Sequence, residues 1–293
     1  MANLKEIRNR ITSIGSTMKI TSAMKMVSAA KLKKASDAIV QMRPYSNKLT
    51  ELLQNLSATL EGDDGGVYTQ EREVKKVLIV AITSNRGLCG GFNSNVIKEV
   101  AHIAQNKYAG KDVSIFAIGK KGNDILSKKH NMYKFESDLY DDLTFENSTP
   151  FALDLMEQFA EGNFDQIDIV YNRFKNAATQ IVTEEQFLPI VAAEETQDTG
   201  ADYIFEPNKT EIVKGLIPKS LKMQLYKSIR DSYASEHGAR MTAMHKATDN
   251  ASELNKALKL QYKTLEIQHS LHYKLNIGLM ALHHMKFING AEI

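Results

Sequence analysis

Apolar residues near the N-terminus recur at helical steps. Ile7, Ile11, Ile14 and Met18 stand four, three and four residues apart, and Ile20, Met24 and Val27 carry on at the same spacing. Between residues 3 and 57 the only proline is Pro44 and the only glycine is Gly15, and Leu49, Leu52, Leu53 and Leu56 renew the stripe after the proline. The pattern predicts one helix, kinked near Pro44 and roughly 80 Å long, too long for a single globular core. A second helical pattern opens at Pro218 and runs to Tyr262 with only Gly238 inside it. Leu221, Leu225 and Ile229 lead into Ala239, Ala243, Ala247 and Ala251 at four-residue spacing, a row of small residues that lets another helix approach closely. The N-terminal helix, with Ala23, Ala29, Ala30 and Ala35, is the expected partner.

Between the helices the period changes. Residues 61–73 are polar and glycine-bearing and read as a linker. VLIVAIT (77–83) and DVSIFAIG (112–119) are short apolar runs rich in branched residues, separated by the turn SNRGLCGGFN (84–93) and a helical stretch over 94–107. Thr149-Pro150 reads as the cap and first turn of a helix reaching about Glu161, and 166–174 and 179–190 read as further strands. Strands alternating with helices imply a largely parallel sheet covered on both faces. The fold class is α/β, with a Rossmann-like domain (74–207) inserted between N- and C-terminal helices (1–60 and 208–293) that wind into a long antiparallel coiled coil.

Composition narrows the function classes. The chain has 293 residues, 43% hydrophobic and 25% charged, as in a globular protein. It shows no apolar run of membrane-spanning length and no signal-peptide core, so a soluble, unexported protein is expected. The single cysteine, Cys89, excludes an internal disulfide. The net charge of +2 hides an asymmetry: residues 136–212 carry three Lys/Arg against eighteen Asp/Glu, while residues 1–50 carry ten against two. The basic ends therefore face one kind of partner and the acidic middle another. Basic residues on the first helix could suit nucleic acid, but no aromatic residue for stacking precedes Tyr45, and no nucleic-acid partner is expected.

The turn Arg86-Gly87-Leu88-Cys89-Gly90-Gly91 lies where a phosphate loop would, after a strand and before a helix, yet it lacks the lysine and hydroxyl of such a loop. It reads as a tight connection and Cys89 as a packed thiol. His269 and His272 share a helical face without a completing carboxylate pair. Asp141-Asp142, Glu184-Glu185 and Glu194-Glu195 read as a solvated acidic face. No catalytic residue, metal or cofactor is expected. The alternative is a Rossmann-like dinucleotide-binding enzyme with helical extensions.

Several long blocks, in order, resemble one family. KEIRNRITSIGSTMKITSAMKMVSAAKL (5–32) with Arg43-Pro44-Tyr45, SNRGLCGGFN, DYIFEP (202–207) and SEHGARMTAMHKATDNA (235–251) are similar to gamma subunits of bacterial-type F-type ATP synthases. The resemblance covers residues 1–262. It implies a non-catalytic rotor subunit on the cytoplasmic face of the bacterial inner membrane, peripheral to it. Its partners would be the ring of three alpha and three beta subunits, the epsilon subunit and the c-subunit ring. By motif match, Met24, Lys25 and Arg240 would face an acidic loop of beta, and Tyr203, Phe205 and Glu206 would lie toward the c ring and epsilon. After Tyr262 the chain departs from the family pattern, with Glu266 and Ile267 in the positions of an Arg-Gln pair. Leu265, Leu271, Leu275, Leu279, Leu282 and Met285 nonetheless predict a helical tail.

Overall fold

The computed structural model describes residues 4–57, 67–70, 72–190 and 209–289. It divides into two units, residues 26–243 and residues 1–25 with 244–293. Both contain parts of two long helices, α1 (Leu4–Ser57) and α5 (Lys209–Asn289). α1 runs unbroken through Pro44. α5 starts nine residues before the expected Pro218, which lies inside it. The helix survives that proline because Ile217, Leu221, Leu225 and Ile229 are buried against the sheet, and tertiary packing outweighs one lost backbone bond.

In residues 26–243 five strands, β1 (Lys76–Ile82), β2 (Asp112–Ile118), β3 (Asn131–Glu136), β4 (Gln166–Phe174) and β5 (Gln180–Leu188), form one sheet in the order β3-β2-β1-β4-β5. The first four are mutually parallel, and β5 returns antiparallel to β4. Residues 77–82 of β1 have no exposed surface, because the sheet is covered twice. On one face α4 (Phe145–Ala160) and α5 supply Leu155, Phe159, Leu221 and Leu225. On the other α2 (Phe92–His102) and α3 (Lys120–Leu126) supply Val96, Val100 and Leu126.

Two sequence expectations are corrected. α4 begins at Phe145, and its cap is Thr144, whose hydroxyl accepts from the Asn147 amide at 3.1 Å; Pro150 lies inside the helix. β3, NMYKFE, was not foreseen. It is an edge strand whose polar Asn131, Lys134 and Glu136 break the apolar run that marks the central strands.

In the other unit α1 and α5 pair antiparallel. Arg8 Nη2 donates to the Tyr262 hydroxyl at 2.5 Å and the hydroxyls of Thr21 and Thr248 meet at 2.8 Å. A Cβ on Gly15 would stand 3.9 Å from Asn255 Nδ2. Advancing from 8 to 15 to 21 along one helix thus matches retreating from 262 to 255 to 248 along the other, an unslipped register. Among the described residues Met244, Ala251 and Leu258 are the buried positions of α5 here, spaced by seven, whereas Ala247 of the expected four-residue row is half-exposed. A supercoiled seam repeats every 3.5 residues, so a four-residue row drifts off it.

Candidate functional site at the end of the sheet

The strand order places a topological switch between β1 and β4: the chain goes leftward from β1 through β2 to β3, then returns by α4 to β4 on the other side of β1. In open α/β sheets the crevice beyond the carboxyl ends of such strands is the usual ligand site. Here the chain's own helix α5 occupies it. Ser235 Oγ donates to the carbonyl of Asn172 at the end of β4, 2.9 Å away. Tyr140, whose hydroxyl donates to the Thr83 carbonyl at 2.7 Å, stacks on Tyr233 of α5 at 6.1 Å between centroids. Tyr233 in turn packs edge-on against His237 at 4.5 Å.

Arg240 closes the crevice over the glycine-rich turn. It is 7% exposed, and its guanidinium donates to the carbonyls of Gly87 (Nε, 3.2 Å) and Arg86 (Nη2, 3.0 Å), to Glu236 Oε1 (Nη2, 2.6 Å) and to His237 Nδ1 (Nη1, 3.3 Å). A phosphate loop offers amides to an anion; this turn directs two carbonyls at a cation. Burial, then the charges of Arg240 and Lys31, push His237 down to about 3, so it is neutral with Nδ1 free to accept. Burial raises the Glu236 carboxyl while Arg240 opposes the shift. Cys89 is buried in the same turn, accepting from Asn93 Nδ2 at 3.3 Å, and burial raises its thiol, which disfavours the thiolate that a nucleophile needs. Leu88, at φ 62°, is held exposed at the tip.

A second titratable cluster lies where α2 ends in a π-helical turn, Ile103–Lys107. Fully buried Asp168 accepts from the Tyr108 hydroxyl, from Lys107 Nζ at 3.1 Å and from Gln166 Nε2 at 3.0 Å. Burial alone would lower Lys107, but its bonds to Glu184 (2.5 Å) and Asp168 raise it well above the usual range, fixing a cation where an amine base would need a neutral nitrogen. Glu184 and Glu185 are therefore partnered, Glu185 by the Tyr171 hydroxyl at 2.6 Å, in place of the solvated acidic face expected of them. Nothing in the sequence pattern connects Lys107 and Tyr108 to Asp168 sixty residues on; the π turn that aims both inward was the missing signal.

Met24 and Lys25 lie half-buried on α1, and Tyr203, Phe205 and Glu206 fall outside the described residues. His269 and His272 stand exposed on α5, and no cluster suited to a metal occurs among the described residues.

Residues 3–265 match the family model described as ATP synthase. The chain is 69% identical to the ATP synthase gamma chain of Flavobacterium johnsoniae and 68% identical to that of Flavobacterium psychrophilum, in each case over 89% of this chain and 92% of the relative. The chain belongs to the ATP synthase gamma-chain family. The fold agrees: a chain of the Euglena gracilis mitochondrial ATP synthase superposes with a TM-score of 0.69 at 21% identity, covering 99% of this chain and 96% of that one. The family match stops three residues beyond Tyr262, where the sequence resemblance also ended. α5 continues past that point to Asn289 with Ile267, Leu271, Leu275 and Leu279 exposed, and no described helix is long and apolar enough to cross a membrane.

Proposed function

We propose that this gamma-family chain is the non-catalytic shaft of a proton-translocating ATP synthase, turning with the c ring and forcing the catalytic beta subunits through their conformational cycle. The observation that carries the non-catalytic reading is the crevice at the sheet's switch point, filled by Ser235, His237 and Arg240 of α5 where a dinucleotide enzyme would hold its ligand. The antiparallel seam of α1 and α5 suits insertion into a surrounding ring of three alpha and three beta subunits. Met24 and Lys25 are the residues of α1 that would meet an acidic loop of beta, through contacts weak enough to slide. Tyr203, Phe205 and Glu206 would face the c ring and epsilon, placing the chain peripherally on the cytoplasmic face of the membrane.

Co-expression with alpha and beta subunits tests this: the chain co-purifies with them as an ATPase and the isolated chain binds neither ATP nor NAD. Tight nucleotide binding by the isolated chain would instead favour the dinucleotide enzyme.

A further inference from the structure

The acceptors on Arg240 are not evenly distributed along the chain. Two, Glu236 and His237, lie one turn back on α5 itself, and two, the carbonyls of Arg86 and Gly87, belong to the turn that follows β1. The first pair holds the guanidinium in one orientation, and the second ties that orientation to the sheet. The turn is braced from its other side as well: Asn93 Oδ1 accepts from the Ser84 amide at 2.9 Å, Ser84 Oγ donates to the Arg86 carbonyl at 2.7 Å, and Asn85 Nδ2 donates to the Ser137 carbonyl at 2.7 Å. Farther along α5 the helix touches the β4–β5 hairpin, where Thr242 Oγ1 donates to the Ala177 carbonyl at 3.1 Å and a Cβ on Gly238 would come within 3.1 Å of the same oxygen. Ser235, Arg240 and Thr242 therefore bind α5 to the end of β4, to the turn after β1 and to the β4–β5 hairpin within eight residues. Of these only Arg240 is charged, buried and forked, and charge-assisted bonds of that geometry resist shear better than a lone hydroxyl.

We infer that Arg240, oriented by Glu236, is a positioning residue that fastens α5 to the sheet so that the α/β domain and the helix turn as one body. The inference rests on the proposed shaft function for its consequence, but not for its geometry. A fastening inside the chain and a contact with a partner subunit make different demands on the isolated protein. If Arg240 acts on the turn, its loss loosens the amides that the braced turn holds, those of Ser84, Phe92 and Lys120, whether or not any partner is present; if it served only a partner, the isolated chain would not register the change.

The test has two arms. Hydrogen exchange on the purified full-length chain compares wild type with Arg240→Ala, Arg240→Lys and Glu236→Gln; Arg240→Ala is expected to speed exchange at the bonded amides of Ser84, Phe92 and Lys120 by about tenfold or more, with Arg240→Lys intermediate because one ammonium cannot span both carbonyls and Glu236. In membranes carrying the assembled complex, protons pumped per ATP hydrolysed are expected to fall in the same order. The lysine and glutamine variants keep the test valid if the alanine variant does not fold. Unchanged exchange at these three amides in all folded variants overturns the fastening. Faster exchange with unchanged pumping per ATP overturns its role in turning the two parts together. A wild-type chain that forms no ATPase with alpha and beta subunits would fault the shaft function alone, since the exchange arm does not involve them.

Discussion

In residues 26–243 the central strands are covered on both faces, and residues 77–82 of β1 have no exposed surface; in the smaller unit a single seam buries only Ile7, Thr21, Met244, Ala251 and Leu258 among the described residues. One region is held by apolar area, with closely fitted backbone at the strand ends. The other is held by a narrow stripe with a hydroxyl pair in it. A filled core punishes any added atom. A seam with solvent on both sides tolerates change.

The sharpest way to break that contrast is Gly119→Ala. Gly119 has φ 103°, and a Cβ there would stand 2.2 Å from the Thr83 carbonyl oxygen, so the substitution is expected to cost at least about 4 kcal/mol and to abolish cooperative thermal unfolding. Near-normal melting would mean that the strand ends are looser than described.

Asp231 sharpens the comparison in the opposite direction. It is 3% exposed with Oδ1 unpartnered, and burial pushes its carboxyl up to about 6, against the opposing charges of Arg43, Lys227 and Arg173 and with help from Glu185. The folded chain thus keeps a proton that the unfolded chain releases, so this residue lowers stability as pH rises from near 4 to near 6, and the deficit persists above. Asp231→Asn should therefore stabilise residues 26–243 by up to ~3 kcal/mol at pH 7.5 and by almost nothing below pH 4. Urea melts at the two pH values would show it, and an equal gain at both would refute the assignment.

In the seam the effects shrink. Thr21→Val or Thr248→Val alone removes the bond between the helices but leaves the other hydroxyl its own backbone acceptor, the Met244 or Met18 carbonyl, and is expected to cost at most ~1 kcal/mol, while the double variant costs less than the two singles added, because the shared bond is lost only once. A double-mutant cycle in thermal melts checks this; strictly additive losses would show that the two hydroxyls do not interact. Smallest of all is Arg8→Ala. The Arg8–Tyr262 bond is at the surface, and its removal should leave the melting curve of the full chain unshifted.

The same contrast governs how much could be read from the sequence. Helical spacing from Ile7 to Met18 and the branched runs at 77–83 and 112–119 announce their elements, because burial on a helix stripe or on both faces of a strand leaves a periodic signal. β3 leaves none, having one free edge, and α5 starts before its local signal because Pro218 marks a helix start in the sequence while Leu221 and Leu225 hold the helix through distant packing. At the candidate site the residues of the turn 84–93 show a strand-to-helix connection without the lysine and hydroxyl of a phosphate loop. The inward aim of Arg240 onto Gly87, 153 residues away, is a matter of tertiary packing that no local pattern encodes.

The most direct test of the shaft function is rotation itself. A bead is attached to the α/β domain of this chain in complexes with alpha and beta subunits fixed to a surface, and ATP is added. The bead is expected to turn persistently in one direction. A bead that stays still, in complexes that hydrolyse ATP at the same rate, would contradict it.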